Sequence, residues 1–136
     1  MLVPKRLVLH NLGPFRDFEL RFEPGTDPTR ADIHLFVGIN GTGKTTLLHA
    51  MGVALGLEPW SLLAGAATDP DAYVLLETEE AVIVRTAPVG GPPSDVVRAL
   101  FEGDPRLNLW TIGDKGLLAA QLKTAPEPVM LERYVP

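Results

Sequence analysis

A nine-residue segment, Gly38-Ile39-Asn40-Gly41-Thr42-Gly43-Lys44-Thr45-Thr46, stands directly behind the apolar run Ile33-His34-Leu35-Phe36-Val37 and ahead of Leu47-Leu48-His49-Ala50-Met51. An apolar strand, a glycine turn and an apolar-periodic helix in immediate succession restrict the chain to an α/β layout, with the turn at the end of a strand. The first N–H groups of a helix have no intrahelical partner, and they coincide with the positive end of its dipole. Such a start is a ready anion site. Gly38, Gly41 and Gly43 let the backbone amides face inward where side chains would otherwise stand, and Asn40 and Thr42 complete the loop. The spacing Gly-x4-Gly-Lys-Thr therefore predicts a loop that cradles a polyphosphate, with Lys44 on the outer phosphates and the Thr45 hydroxyl as a ligand of Mg²⁺. Thr46 reads first as a helix residue whose hydroxyl is within range of the innermost phosphate.

The rest of the composition narrows the setting. The 136 residues suffice for one ordinary domain, and with 46% apolar residues a core can form. No apolar run reaches the roughly 18 residues of a membrane span, and the N-terminus carries no signal-peptide core, so the expectation is a cytoplasmic protein. There are no cysteines, hence no disulfides and no thiolate chemistry, and the three histidines, His10, His34 and His49, are too scattered for a metal cluster. The net charge of −5 and the dispersed Lys and Arg residues give no electrostatic footprint for nucleic acid.

Along the chain, Lys5–Asn11 and Phe18–Phe22 alternate as strands and predict an antiparallel pair across a turn at Leu12–Asp17. Residues 23–32 are a turn-rich surface loop. After the glycine segment, the spacing of Leu47, Leu48, Met51 and Leu55 predicts a helix over Lys44–Leu55, stopped by Gly56. Leu57–Pro70 reads as a short helix or irregular connection. Tyr73–Glu77 and Ala81–Thr86 predict a second hairpin, and Pro88–Pro93 a loop. Ser94 then caps a helix ending at Gly103-Asp104-Pro105. Leu107–Ile112 is a further strand, Gly116–Lys123 has the composition of a helix, and Val129–Tyr134 reads as a last strand. The expected organisation is a single unit over residues 1–136, with residues 1–57 carrying the glycine loop and its helix and 58–136 a hairpin and helical part.

The N-terminal strand, the turn Asn11-Leu12-Gly13-Pro14-Phe15-Arg16-Asp17, the strand ending Arg21-Phe22-Glu23-Pro24-Gly25 and the segment Leu35–Leu48 together resemble the opening of an ABC-type ATPase head. The similarity is closest to the RecF/SMC-like branch and related AAA-family ATPases of the AAA_21 and AAA_23 type, and it covers about the first 57 residues. The resemblance implies a P-loop NTPase fold with mixed and antiparallel strands around the Walker A strand, loop and helix. It also implies an ATP and Mg²⁺ site at Gly38–Thr46, and Arg16 near the nucleotide.

Two such heads sandwich two nucleotides, which implies a homodimer or a further C-terminal ATPase lobe, with nucleic acid reached only through the full assembly. The pattern is incomplete in this chain. No apolar run is followed by Asp-Glu; Val74-Leu75-Leu76-Glu77 and Val129-Met130-Leu131-Glu132 match only its first half. The Ser-Gly signature and the switch histidine are absent, and Gln121 is the sole glutamine available to touch Mg²⁺ and water. The expectation is an ATP-binding lobe that is slow or inactive in hydrolysis by itself, with no catalytic base assigned. A small P-loop kinase and a non-catalytic nucleotide-binding interaction module are the alternatives.

Overall fold

The computed structural model describes residues 4–22, 42–67, 69–88, 93–112 and 116–125. Within them a six-stranded antiparallel sheet is built from β1 (Pro4–Leu12), β2 (Phe15–Arg21), β3 (Tyr73–Thr78), β4 (Ala81–Thr86), β5 (Leu107–Ile112) and β6 (Leu117–Leu122), in the order β2-β1-β3-β4-β6-β5. Helix α1 (Thr42–Ala54) lies on one face, and α2 (Asp95–Glu102) lies on the other. A single 3-10 turn, Trp60–Leu63, follows α1. The predicted strand Ile33–Val37, the loop residues Gly38–Gly41 and the predicted strand Val129–Tyr134 lie outside the described residues.

Both predicted hairpins form. β1 and β2 pair with Leu7 opposite Leu20 and Leu9 opposite Phe18, and β3 and β4 pair with Leu75 opposite Val84. Alternation along β1 sends Leu7 and Leu9 to the α1 face and Val8 to the α2 face. Asn11 breaks that phase. Its left-handed backbone, φ 53°, inserts an irregular step that brings Leu12 back to the α1 face.

The α1 face is closed by Leu47, Ala50, Val53 and Ala54 against Leu7, Leu9, Leu12, Val74 and Leu76. Burial of each large aliphatic side chain here stabilises by about 1.5–3 kcal/mol. The inward stripe differs from the one expected from sequence, because Leu48 remains 47% exposed while Ala50 and Val53 are buried. Small residues face the sheet, which lets the helix sit close to it. Beyond Ala54 the chain turns through Gly56, whose N–H donates to Val53 O while the Leu57 N–H donates to Gly52 O, satisfying the last carbonyls of the helix.

On the other face, Ser94 Oγ accepts the Val97 N–H at 3.3 Å, the expected cap, and α2 lays Val97 and Phe101 over Leu75, Val82, Val84, Leu118 and Ala120. The segment Gly116–Lys123, expected to be helical, is instead the strand β6. It pairs with β4 on one side and β5 on the other. Leu117, Leu118, Ala119 and Ala120 are all buried, because both faces of this strand are covered. A short apolar run buried on both faces has no alternation, so its Leu and Ala content imitates a helix.

Candidate phosphate-binding site

The described part of the glycine segment, Thr42–Thr46, forms the first turn of α1. Gly43 is buried, Lys44 and Thr45 are exposed, and Thr46 and Leu47 are buried. This partition follows from the helical period, since Gly43, Thr46, Leu47 and Ala50 share the side facing the sheet. Lys44 and Thr45 thus project from the N-terminal end of the helix, free of the core. No acidic side chain stands in that first turn to compete for an anion. Gly38, Asn40 and Gly41 fall outside the described residues.

Thr46 has a packing role that the sequence does not reveal. It is 9% exposed and lies under the β1–β2 turn. A Cβ built on Gly13 would stand 3.2 Å from Thr46 Oγ1, and Gly13 has φ +54°, a backbone conformation that suits glycine. The Gly13 N–H donates to Ala66 O at 2.8 Å, and Leu12 bridges to Ala67. The hairpin turn is thereby clamped between the start of α1 and the chain that leaves the 3-10 turn. Beside it, an open recess of about 280 Å³ is lined by Trp60, Ala64, Ala67, Asp69, Pro70 and Ala87. Its lining is largely apolar, which does not suit a polyphosphate.

Arg16, the second residue of β2, follows this clamped turn and is exposed. Asp17, beside it, is committed elsewhere. Its Oδ1 accepts a hydrogen bond from His10 Nδ1 at 2.7 Å, and the His10 ring stacks on Tyr73 with centroids 4.9 Å apart. Burial, with the neighbouring Asp17 charge, pushes the Tyr73 phenol above its ordinary value, so it stays protonated at neutral pH.

Two weaker expectations are settled by position. Glu77 accepts from Arg6 Nη2 at 3.3 Å and Arg106 Nη2 at 2.9 Å, an ion-pair network tying β1 and the start of β5 to β3. Its register partner Arg6 lies far along β1 from the Gly13 turn, so Glu77 sits at the opposite end of the sheet from the helix start. Gln121 lies at that far end too, opposite Ala81 beside the β3–β4 turn, and on a strand instead of a helix. Neither residue is near Thr45. Among the described residues no group of three or more His, Asp or Glu side chains could hold a metal ion.

A family model described as an AAA domain, AAA_23, matches residues 6–85. The match spans both N-terminal strands, the glycine segment, α1 and the β3–β4 hairpin, which is more than half of the chain. This chain belongs to the AAA_23 family of AAA domains. Family membership carries nucleotide binding of the ATPase kind at the level of the family, and the mixed α/β architecture with its antiparallel sheet is consistent with it. Comparisons with curated proteins and with solved structures returned no match. Among the described residues no helix is long and apolar enough to cross a membrane.

Proposed function

We propose that this AAA domain binds Mg-ATP through Gly38–Thr46 as the N-terminal lobe of a RecF/SMC-like, ABC-type ATPase head. The observation that carries the reading is the first turn of α1, where the sequence Thr42-Gly43-Lys44-Thr45-Thr46 starts a helix packed on the sheet with Lys44 and Thr45 exposed. Lys44 there neutralises outer phosphate charge, and Thr45 Oγ1 offers one oxygen ligand to Mg²⁺. Asn40 and the amides of residues 38–43 supply the remaining donors. Arg16, exposed beside the clamped turn, is a further candidate contact for the nucleotide.

Hydrolysis requires more than positioning. It needs an acidic residue to orient the attacking water and a signature segment across a dimer, and each such group contributes orders of magnitude in rate. Glu77 is held by Arg6 and Arg106, and the second apolar run, ending at Glu132, has no aspartate before its glutamate. The proposal is therefore a binding lobe that acts with a C-terminal lobe or a second copy of itself, in the cytoplasm. Titration of the chain with Mg-ATP and Mg-ADP tests it, alongside steady-state turnover. Binding without appreciable turnover is expected, and robust turnover lost in Lys44→Ala would refute the need for a partner.

A further inference from the structure

The recess beside the clamped turn is bounded by two turns that the fold holds in place without filling the space between them. It encloses about 280 Å³ and is lined by Trp60, Ala64, Ala67, Asp69, Pro70 and Ala87. One wall is the 3-10 turn and its exit, where the Leu62 N–H donates to Pro59 O, the Ala64 N–H to Ser61 O, and the Ala66 and Ala67 N–H groups to Leu63 O. The fully buried Leu63 side chain anchors it. Trp60 is half-buried, packs in part on the α1 core cluster, and is the one aromatic ring of the lining. A second wall is the turn that leads into β3. There Asp69 Oδ1 accepts the Asp71 N–H at 2.8 Å and Asp69 O accepts the Ala72 N–H, while Ala72 O accepts a hydrogen bond from Thr86 Oγ1 at 2.9 Å. That last bond fixes the end of β4, and with it Ala87, against the same turn.

The chemistry of this lining is selective. It holds one acidic and no basic side chain, so it repels a phosphate. Small residues at Ala64, Ala67 and Ala87 leave room beside the indole of Trp60. The volume is slightly below the roughly 300–1,000 Å³ of small-molecule sites, enough for a ring system and not for a whole nucleotide. A planar heterocycle stacks on an indole, and a carboxylate already held by the backbone accepts from an amino or hydroxyl group.

Position narrows the choice of ring. A Cβ on Gly13 would stand 3.2 Å from Thr46 Oγ1 and 3.8 Å from Ala66 Cβ, so the first turn of α1 and the chain leaving the 3-10 turn close on the same point. Ala67 is the next residue and lines the recess. Neighbouring Cα atoms are about 3.8 Å apart, which starts the recess within about 10 Å of Thr46. A ribose bridges such a gap between phosphates and base.

We infer that this recess is a nucleoside-binding site, in which a purine base stacks on Trp60 and Asp69 accepts a hydrogen bond from the nucleoside. The inference rests on the reading of the α1 start as the phosphate end of the same nucleotide. Phosphate and base are then held by separate parts of the chain, and they separate in experiment.

The test is calorimetric affinity for Mg-ATP and for Mg-tripolyphosphate, which has the phosphates without the nucleoside, in wild type, Trp60→Ala and Ala64→Phe. Wild type should bind Mg-ATP at least tenfold tighter than Mg-tripolyphosphate. Trp60→Ala should weaken Mg-ATP at least fivefold and leave Mg-tripolyphosphate within twofold. Equal affinity of wild type for the two ligands overturns the inference and leaves the phosphate-loop reading standing. A loss in Trp60→Ala that is the same for both ligands, or no loss, also overturns it, since a merely structural role would not separate them. Should Trp60→Ala fail to fold, Ala64→Phe decides, because Ala64 is an exposed part of the wall and a phenyl group there narrows the recess. A loss confined to Mg-ATP supports the site, and any other result contradicts it. Failure of wild type to bind either ligand rejects the phosphate-loop reading, and this inference with it.

Discussion

Gly13 ties the N-terminal hairpin to the helix start through one missing methyl group, since its absent Cβ would stand 3.2 Å from Thr46 Oγ1 and its φ is +54°. Gly13→Ala should therefore lower stability by about 1–3 kcal/mol, measured by urea unfolding, as a left-handed backbone position takes a side chain and crowds a buried hydroxyl. Gly116→Ala should be worse, because the added Cβ would lie 2.2 Å from Thr86 O at φ +76°. Asp104 gives a pH signature. The side-chain hydrogen bond from Arg106 holds its carboxyl below the ordinary value of 3.8. A carboxyl depressed in the folded state adds stability above its unfolded value, and that stability is lost as pH falls from about 4 downward. Asp104→Asn should flatten the fall of stability with acid in that range, and an unchanged slope would contradict the assignment. At this scale the exposed pair Lys44 and Thr45 was legible, because motif spacing alone sets which side chains leave the helix start. The burial of Thr46 under Gly13 was not, since it depends on a strand turn far away in sequence.

Among the elements, the hairpins and the capped helix α2 follow from local patterns, alternation in β1 to β4 and Ser94 before an amphipathic run. Ser94→Ala should destabilise by about 1 kcal/mol through the lost bond to the Val97 N–H, read as a lower urea midpoint with an unchanged slope. β6 was misread as a helix for a physical reason. Its leucines and alanines have good helix propensity, and the pairing with β4 and β5 that overrides it comes from tertiary structure. The inward stripe of α1 shows the same limit in milder form. Leucine spacing favoured Leu48, whereas contact with the sheet favours the small side chains of Ala50 and Ala54.

For the whole molecule, the AAA_23 match over residues 6–85 fixes the family. The resemblance in the first 57 residues was legible because loop spacing and the preceding strands are local in sequence, whereas the sheet order β2-β1-β3-β4-β6-β5 was not. Among the described residues β2 is at the edge of the sheet, and it presents exposed Arg16, Asp17, Glu19 and Arg21, charges that disfavour addition of another strand there. Assembly with a second copy is accordingly expected to depend on nucleotide and not on β2 pairing, and sedimentation with and without Mg-ATP would detect it. All of this depends on whether the start of α1 receives a phosphate chain. The most direct measurement is calorimetric binding of Mg-ATP to the wild-type chain and to Lys44→Ala. Saturable one-to-one binding that weakens at least tenfold in the variant is predicted. No binding, or equal affinity in the two proteins, would contradict the account.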